Sequence, residues 1–236
     1  MTELDPIPYR DGATWLRGRL ARPTGEPRAA ILVFPTIANA NPPIERRARM
    51  LAEAGYLALI ADFYGSKPES FEAAQAAANE LRASVTVYRA RLRAAFDCLA
   101  GLPGAAGVPL AAIGYCMGGQ AALELARDGA ALAGVVSFHG MLETGRRAEA
   151  GAIQARLLVC HGDADPLVPR AQVLAFWDEM DAAGAAWHFH AYSGVRHGFT
   201  DPGSDARGMA AIGYDASADR QSWAAMTSLF DEIFAG

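Results

Sequence analysis

A cysteine stands between closely spaced glycines in the segment Ile-Gly-Tyr-Cys-Met-Gly-Gly, residues 113–119. The apolar run at 108–113 is typical of a buried strand, and the run at 120–126 is typical of a helix. Glycines at positions 114 and 118 allow strand and helix to cross closely, because a Cβ at either position would crowd the crossing. The pattern predicts a sharp strand–turn–helix unit with Cys116 at the turn in a strained backbone conformation. The alternative is that Cys116 is only a small buried side chain at a glycine-rich turn.

Strand-sized apolar runs alternate with helical patterns along the 236 residues. This alternation is the signature of a mostly parallel sheet covered by helices on both faces. A hairpin around Asp11–Gly12 precedes it. We therefore predict a single α/β domain over residues 1–236, with a central sheet of about eight strands. The predicted strands lie near 29–34, 56–61, 108–113, 133–138, 156–160 and 186–192, and the predicted helices near 43–54, 85–101, 118–128, 170–183 and 219–234.

Two later strands are followed by residues that could activate a thiol. His-Gly-Asp-Ala-Asp-Pro follows the strand at 156–160, and Arg-His-Gly-Phe follows the strand at 186–192. Loops at the carboxyl ends of parallel strands meet at one sheet edge, so Cys116, Asp165 and His197 are expected to lie together. Asp165 is favoured over Asp163 as the acid because Pro166 fixes an extended turn after it. Asp163 is then a turn or helix-capping residue.

The remaining histidines have other interpretations. His188 and His190 share one face of a strand, which favours packing or surface roles, and His161 is expected to hold a strand-end loop together. His139 lies at another carboxyl strand end, where lining a pocket and a purely structural role are both open. The His and Cys residues show no paired spacing typical of zinc ligands, so we predict no metal and no cofactor.

The side chains themselves indicate a reaction. A thiolate is a strong nucleophile, and His197 can take the Cys116 proton while Asp165 holds the imidazole in the accepting tautomer. Attack on an ester or lactone carbonyl creates an oxyanion, which backbone N–H groups can stabilise. The expected donors are Met117, directly after the nucleophile, and Ile37, in the loop after the strand at 29–34. A thioacyl intermediate hydrolysed by water completes the reaction.

Along nearly its whole length the chain resembles the dienelactone hydrolase family, α/β-hydrolases with a Cys–His–Asp triad. The resemblance rests on segments 30–35 and 52–64, the elbow Gly-Tyr-Cys-Met-Gly-Gly, the loop His-Gly-Asp-Ala-Asp-Pro and the tetrapeptide Arg-His-Gly-Phe. It implies an α/β-hydrolase fold and a small-molecule ester or lactone substrate. It also implies the roles already given to Cys116, Asp165, His197, Ile37 and Met117.

This chain departs from the family pattern at two positions. Enzymes of the family that open dienelactones carry a glutamate in the oxyanion loop that interacts with the resting cysteine, and that position falls on Thr36. They also bind the substrate carboxylate with arginines, whereas the position four residues after the base is Asp201, which would repel an anion. Arg196, next to the base, is expected to point elsewhere. A neutral ester or lactone therefore fits the visible charges better than a dienelactone.

The predicted substrate pocket includes loop residues around the triad. The candidates are Thr36, Tyr115, His139, Phe199 and Tyr214. The alanine-rich, helix-prone segment 70–82 forms either part of a lid over the site or one more surface helix. The segment 200–218, with Pro and several Gly, Asp and Ser residues, is expected to be a long loop near the mouth.

Composition excludes several classes of function. The formal net charge of −5 and the lack of a strong basic cluster argue against nucleic-acid binding. Apolar runs are strand-sized, so no membrane span is expected. The amino-terminal residues show no signal-peptide pattern, and three cysteines cannot all pair, which together favour a cytoplasmic protein. Cys98 and Cys160 are expected to be buried and inert.

Two hypotheses remain open at this stage. One is a carboxylic ester or lactone hydrolase that works through Cys116. The other is a binding protein or thiol-based sensor that keeps the fold without turnover. The presence of all three catalytic residue types in the order nucleophile, acid, base favours the hydrolase.

Overall fold

The computed structural model describes residues 4–235, which contain one eight-stranded sheet. The strands are β1 (Leu4–Asp11), β2 (Thr14–Ala21), β3 (Ala29–Phe34), β4 (Tyr56–Ile60), β5 (Leu110–Tyr115), β6 (Gly134–Phe138), β7 (Arg156–Gly162) and β8 (Trp187–Tyr192). Their order across the sheet is β1-β2-β4-β3-β5-β6-β7-β8. All run in the same direction except β2, which pairs antiparallel with both β1 and β4.

Helices cover both faces of this sheet. They are α1 (Pro42–Glu53), α2 (Phe71–Arg82), α3 (Val85–Ala100), α4 (Met117–Arg127), α5 (Arg170–Ala183) and α6 (Ala216–Phe234), with short 3₁₀ turns at Pro103–Ala105 and Asp205–Arg207. One buried cluster joins the sheet to α2, α3, α4 and α5, and the other joins it to α1 and α6. The predicted α/β-hydrolase architecture is confirmed.

The central strands are apolar throughout because both of their faces are buried. In β3, Leu32 and Phe34 face one cluster, while Ile31 and Val33 face the other. Successive side chains of a strand point to opposite faces, so every side chain of a strand covered on both faces is buried and apolar residues are favoured throughout. Each fully buried side chain of this kind contributes about 1.5–3 kcal/mol to stability.

Element boundaries differ from prediction mainly at the sheet edge that carries the loops. Strand β5 continues to Tyr115, directly before Cys116, because Gly114 and Tyr115 pair with β6. Strand β7 includes His161, which the sequence placed in the following loop, because it pairs with β8. Helix α6 begins earlier than predicted because the Asp215 carboxylate caps it.

A buried ion-pair network fixes helix α4, which starts immediately after Cys116. Glu124 and Arg127 of α4 pair with each other, with Arg89 of α3 and with Glu179 of α5, at 2.8–3.0 Å. Removing one member would leave its partner charged and buried, which typically costs about 3–5 kcal/mol. The helix that presents Cys116 is therefore tied to both neighbours.

None of the helices described between residues 4 and 235 is long and apolar enough to cross a membrane.

Candidate active site

Cys116 occupies the turn between β5 and α4, with φ 58° and ψ −122°. Backbone in this region costs a residue with a side chain about 1–3 kcal/mol. Gly114 and Gly118 make the crossing possible, because a Cβ on the first would overlap the Gly118 carbonyl group. A Cβ on Gly118 would overlap the carbonyl oxygens of Phe34 and Pro35. The predicted strained turn is confirmed, and Cys116 remains partly exposed within it.

The loops after β7 and β8 bring an acid and an imidazole together. Asp165 Oδ2 lies 2.7 Å from His197 Nδ1, and both side chains are almost completely buried. The other oxygen, Asp165 Oδ1, accepts the Leu167 N–H at 2.8 Å, which fixes the carboxylate plane. Asp163 instead forms an exposed ion pair with Arg170, at 2.7 Å. The geometry therefore gives Asp165, not Asp163, contact with His197.

Charges on Cys116 and His197 stabilise each other. Burial alone would lower the pKa of His197, but the neighbouring Cys116 sulfur and the Asp165 carboxylate raise it to about 10. Burial would likewise raise the pKa of Cys116, but His197 and the backbone N–H groups of Met117 and Ile37 lower it. His197 Nε2 has no hydrogen bond of regular geometry among the described residues and lies beside the sulfur. The arrangement favours a thiolate–imidazolium pair.

The N–H groups of Met117 and Ile37 both act on the Cys116 sulfur. Met117 begins α4, so its N–H is one of the free donors at a helix start. Ile37 lies in the loop after β3, where Asn39, with φ 61°, closes a tight turn. The Asn39 amide donates to buried Asp62 at 2.7 Å, and Asp62 also accepts three backbone N–H groups. A buried carboxylate thus holds the loop that carries the second donor.

Thr36 occupies the position next to Ile37 and faces the cavity. Its Oγ1 accepts from the Ala38 N–H at 3.3 Å and from Asn41 Nδ2 at 3.4 Å. The hydroxyl is therefore engaged within the loop. It supplies no negative charge to compete with His197 for the Cys116 proton.

Left-handed backbone conformations mark the same region. Within residues 4–235 the non-glycine residues with positive φ are Asn39, Cys116 and His139, at 61°, 58° and 42°. Cys116 and His139 directly follow β5 and β6, and Asn39 lies in the loop after β3, all on the loop edge of the sheet. Such conformations persist only where the surroundings enforce them, and they cluster at functional sites. The positions of strained backbone therefore lie in the same region as the side chains of Cys116, Asp165 and His197.

A cavity of about 360 Å³ opens in front of Cys116. Much of its wall is apolar and comes from the oxyanion loop, α1 and the start of α2. The apolar contributors are Ile37, Ala38, Pro43, Ile44, Pro68, Phe71, Ala74 and Ile212. The segment 70–82 is thus a helix whose first turn forms one wall of the cavity. The segment 200–218 supplies another wall, as expected for a loop at the mouth.

Most charged groups on the cavity wall are already paired. Arg207 and Asp201 form an ion pair, and the buried Arg47 pairs with Asp219 behind the wall. Lys67, at the exposed lip, forms no hydrogen bond or ion pair among the described residues. Asp201 was expected to repel an anion, but the ion pair with Arg207 neutralises its charge. Arg196 points away from the cavity, as expected, toward the Ala210 carbonyl.

The sequence identified part of the pocket. Three predicted residues line the cavity: Thr36, Tyr115 and His139. Phe199 does not, because it is completely buried with its ring 5.1 Å from the His139 ring. Tyr214 does not either, because its hydroxyl turns toward Asp219, at 3.4 Å. Placing Phe199 and Tyr214 in the pocket was therefore wrong.

Several functional candidates were missed by sequence reasoning. Arg47, Phe71 and Arg207 line the cavity, and Asn39 supports the oxyanion loop. The arginine at position 47 sits on the apolar stripe of α1, where a charged residue needs a buried partner, and this was a usable signal. The other three lie in loops or at a helix start, where no periodicity indicates which way a side chain points.

Comparison with known proteins shows similarity to one family along almost the whole chain. The model of the dienelactone hydrolase family matches residues 16–234. The solved structure of a protein designated m3DLH is 39% identical, with a TM-score of 0.93 and coverage of 99% of both chains. A dienelactone hydrolase-like promiscuous phosphotriesterase, P91, from metagenomic libraries is 36% identical, with a TM-score of 0.94 and coverage of 98% of both chains. A probable 2-oxo-3-(5-oxofuran-2-ylidene)propanoate lactonase of Bradyrhizobium sp is 28% identical over 200 residues, which cover 79% of this chain and 80% of that protein.

Proposed function

This chain belongs to the dienelactone hydrolase family, and we propose that it cleaves neutral esters or lactones with Cys116 as the nucleophile. Family membership and the lactonase relative make it a hydrolase of ester or lactone bonds. In the proposed mechanism His197 transfers protons and Asp165 orients His197. The N–H groups of Ile37 and Met117 stabilise the oxyanion.

One observation carries this proposal. The imidazole of His197 and the N–H groups of Met117 and Ile37 all act on the Cys116 sulfur. A carbonyl carbon bonded to that sulfur would have its oxygen within reach of the two N–H groups and its leaving group near the imidazole. Nucleophile, proton carrier and oxyanion donors then serve a single reacting carbon.

Acylation begins from the thiolate–imidazolium pair. The Cys116 sulfur forms a bond to the carbonyl carbon, and the carbonyl electron pair moves onto oxygen, where Met117 and Ile37 donate hydrogen bonds. When the carbonyl re-forms, the C–O bond to the leaving group breaks. The imidazolium of His197 gives its Nε2 proton to the departing oxygen. The products of this half-reaction are a thioester on Cys116, an alcohol and a neutral His197.

Deacylation uses the same groups in the opposite sense. Acylation removes the negative charge on sulfur, which is the strongest influence raising the pKa of His197. Neutral His197 can then take a proton from water while the water oxygen attacks the thioester carbon. Collapse of the second oxyanion breaks the C–S bond, releases the carboxylic acid and regenerates the ion pair. Asp165 stabilises the imidazolium whenever it forms.

Charge on the cavity wall selects the substrate class. Arg207 is paired with Asp201 and Arg47 with Asp219, so the unpaired Lys or Arg that the described residues place on the wall is Lys67, at the exposed lip near the exposed Glu69. The wall is otherwise largely apolar and the cavity is small. A neutral acyl group with few polar atoms matches these properties best. A neutral phosphate triester, the substrate class of the P91 relative, is likewise uncharged and provides a second candidate substrate.

Hydrolysis of p-nitrophenyl acetate by matched variants tests the proposal. We expect turnover by the wild type and by Cys98→Ala, whose thiol is half-buried with a pKa raised by burial. Cys116→Ala should lose it, and Cys116→Ser should lose most of it, because a hydroxyl does not ionise in this environment. A dienelactone, a neutral lactone and a p-nitrophenyl dialkyl phosphate complete the substrate panel.

Each outcome bears on a different part of the proposal. Turnover that survives in folded Cys116→Ala would overturn the cysteine mechanism. Faster turnover of the dienelactone anion than of the neutral lactone would overturn the neutral-substrate assignment. A folded wild-type protein that alkylates at Cys116 but hydrolyses nothing in the panel would favour the binding or sensor hypothesis.

A further inference from the structure

His139 joins the nucleophile to the base loop through both of its ring nitrogens. It directly follows β6, is 3% exposed and has φ 42°. Nδ1 accepts the Cys116 N–H at 3.1 Å, and Nε2 lies 2.9 Å from Thr200 Oγ1. The Cys116 N–H is shared with the Phe138 carbonyl oxygen, also at 3.1 Å. The end of β6 thus supplies both acceptors for the amide at the strained turn.

These contacts fix the tautomer of His139. An amide N–H can only donate, so Nδ1 must carry a lone pair and the ring proton must be on Nε2. Nε2–H then donates to the Thr200 hydroxyl oxygen. Loss of that acceptor would leave a buried N–H unpaired, and the ring would then be free to rotate away from the Cys116 N–H in search of another partner.

Thr200 is itself anchored through its backbone carbonyl group. Its carbonyl oxygen accepts from Arg47 Nη2 at 3.1 Å, and Arg47 pairs with Asp219. Thr200 follows His197 by three residues in the same loop. A chain of contacts therefore runs from α6 through α1 to the base loop, and through His139 to the nucleophile.

The surroundings keep His139 neutral. Burial lowers its pKa well below the ordinary value, and the positive charges of His197, Arg47 and Arg207 lower it further. The groups in ring contact with it are His197 and Phe199, each at 5.1 Å, and Tyr115 at 6.1 Å. A neutral imidazole can accept from the Cys116 amide, whereas an imidazolium cannot.

We propose that His139 is a positioning residue of the reaction: its neutral ring holds the Cys116 amide and thereby sets the distance between the Cys116 sulfur and His197. This inference rests on the proposed role of Cys116 as nucleophile. His139 touches no reacting atom in this scheme and acts through the elbow backbone, and its ring also lines the cavity 5.1 Å from the His197 ring. Misplacement of a nucleophile by about 1 Å can reduce turnover about a hundredfold.

Four variants at one position separate this role from packing. His139→Asn keeps an acceptor at the position of Nδ1 and tolerates positive φ, whereas His139→Gln can reach Thr200 only. His139→Leu removes both contacts, and His139→Gly also relieves the backbone strain. The exposed His188→Leu is the matched control. All are made in the Cys98→Ala background so that alkylation reports on Cys116.

The readouts are kcat, KM, unfolding temperature and the pH dependence of alkylation by iodoacetamide. We expect His139→Gln, →Leu and →Gly to lower kcat about ten- to a hundredfold with KM changed less than about threefold. Their alkylation midpoints should move up toward that of a free thiol, about 8.5. His139→Asn should stay within about fivefold of wild type in kcat and keep the wild-type midpoint.

Substitutions at Thr200 test the same contact while leaving His139 in place, in case the His139 variants do not fold. Thr200→Val should shift kcat and the alkylation midpoint in the same direction as His139→Gln, and Thr200→Ser should not. Wild-type kcat and midpoint in folded His139→Gly, or in Thr200→Val, would overturn the proposal. So would His139→Asn that is as impaired as His139→Gly. Turnover that survives Cys116→Ala would instead refute the proposed mechanism, while the alkylation midpoints would still report on the His139 contact.

Discussion

Replacing Asp165 with asparagine tests how the acid controls His197. The carboxylate has two fixed partners: Oδ2 lies 2.7 Å from His197 Nδ1, and Oδ1 accepts the Leu167 N–H at 2.8 Å. An asparagine has only one acceptor oxygen, and the Leu167 N–H cannot turn away because it belongs to the backbone. The amide NH₂ group must therefore face His197, which makes Nδ1 an acceptor. The ring proton then moves to Nε2, the atom beside the Cys116 sulfur, and neutral His197 can no longer take the thiol proton.

The size of the effect follows from the burial of this pair. Both side chains are at most 3% exposed, so solvent cannot replace the lost carboxylate. Breaking a buried hydrogen-bonded charge pair costs about 3–5 kcal/mol, and each 1.4 kcal/mol is about a factor of ten in rate. We expect kcat/KM to fall between about 10² and 10⁴-fold. The pKa of Cys116 should rise, since it is lowered chiefly by the charge on His197.

Asp163→Asn is the matched control for this experiment. Asp163 lies two residues away and pairs with Arg170 on the surface, where such ion pairs contribute little. Kinetics with p-nitrophenyl acetate and iodoacetamide alkylation across pH measure both variants. We expect Asp163→Asn to stay within about twofold of wild type. Equal losses in the two variants, or an unchanged alkylation profile in Asp165→Asn, would refute the tautomer argument.

Three further predictions concern charge and loop support around the site. The pKa of His197 is raised to about 10, so protonated His197 contributes to the free energy of unfolding. This contribution is complete below about pH 6.5 and is lost as the pH rises through about 10. The difference in unfolding free energy between wild type and His197→Gln, from urea titrations, should therefore shrink across that range; a constant difference would contradict the ion pair. Asp201→Asn should free Arg207 to bind an anionic substrate. The ratio of kcat/KM for a p-nitrophenyl succinate half-ester to kcat/KM for p-nitrophenyl acetate should then rise by about three- to tenfold. An unchanged ratio would show that the Arg207–Asp201 pair does not control charge selection. Asn39→Ala should lower kcat and cost about 1–3 kcal/mol in thermal unfolding, because buried hydrogen bonds of the oxyanion loop are lost; wild-type kcat would show that the loop is held by other contacts.

Regular periodicity made most of the fold predictable from the sequence. Doubly buried strands such as β3 read as continuous apolar runs, and the hairpin of β1 and β2 is marked by Asp11–Gly12. Errors arose where tertiary pairing extends an element beyond its own pattern. Tyr115 and His161 were assigned to loops, but hydrogen bonds to neighbouring strands draw them into the sheet.

The candidate site was predictable where glycine or proline restricts the backbone. The glycines at 114 and 118 indicated the turn at Cys116, and Pro166 favoured Asp165, which the structure brings into contact with His197. The direction in which a loop side chain points is not indicated by glycine or proline in the same way. Tyr214 turns to Asp219 and away from the cavity, while Arg207 comes back to pair with Asp201 at the wall. These contacts depend on how the segment 200–218 folds over the sheet edge, which has no local sequence signal.

Most groups that support the proposed chemistry lie outside the walls of the cavity. Asn39 and Asp62 hold the loop that carries Ile37, and Asp165 fixes His197, through buried hydrogen bonds. His139 contacts the Cys116 amide through a part-buried hydrogen bond. Much of the wall comes instead from α1, the first turn of α2 and the segment 200–218, while His139 and Thr200 belong both to the wall and to the supports. Substitutions in the first turn of α2, or at Asp201, Arg207 and Ile212, can change the size and charge of the acyl group that fits without disturbing the supports. This separation gives a physical reason why one scaffold can serve a lactonase of Bradyrhizobium and a promiscuous phosphotriesterase among the relatives of this chain.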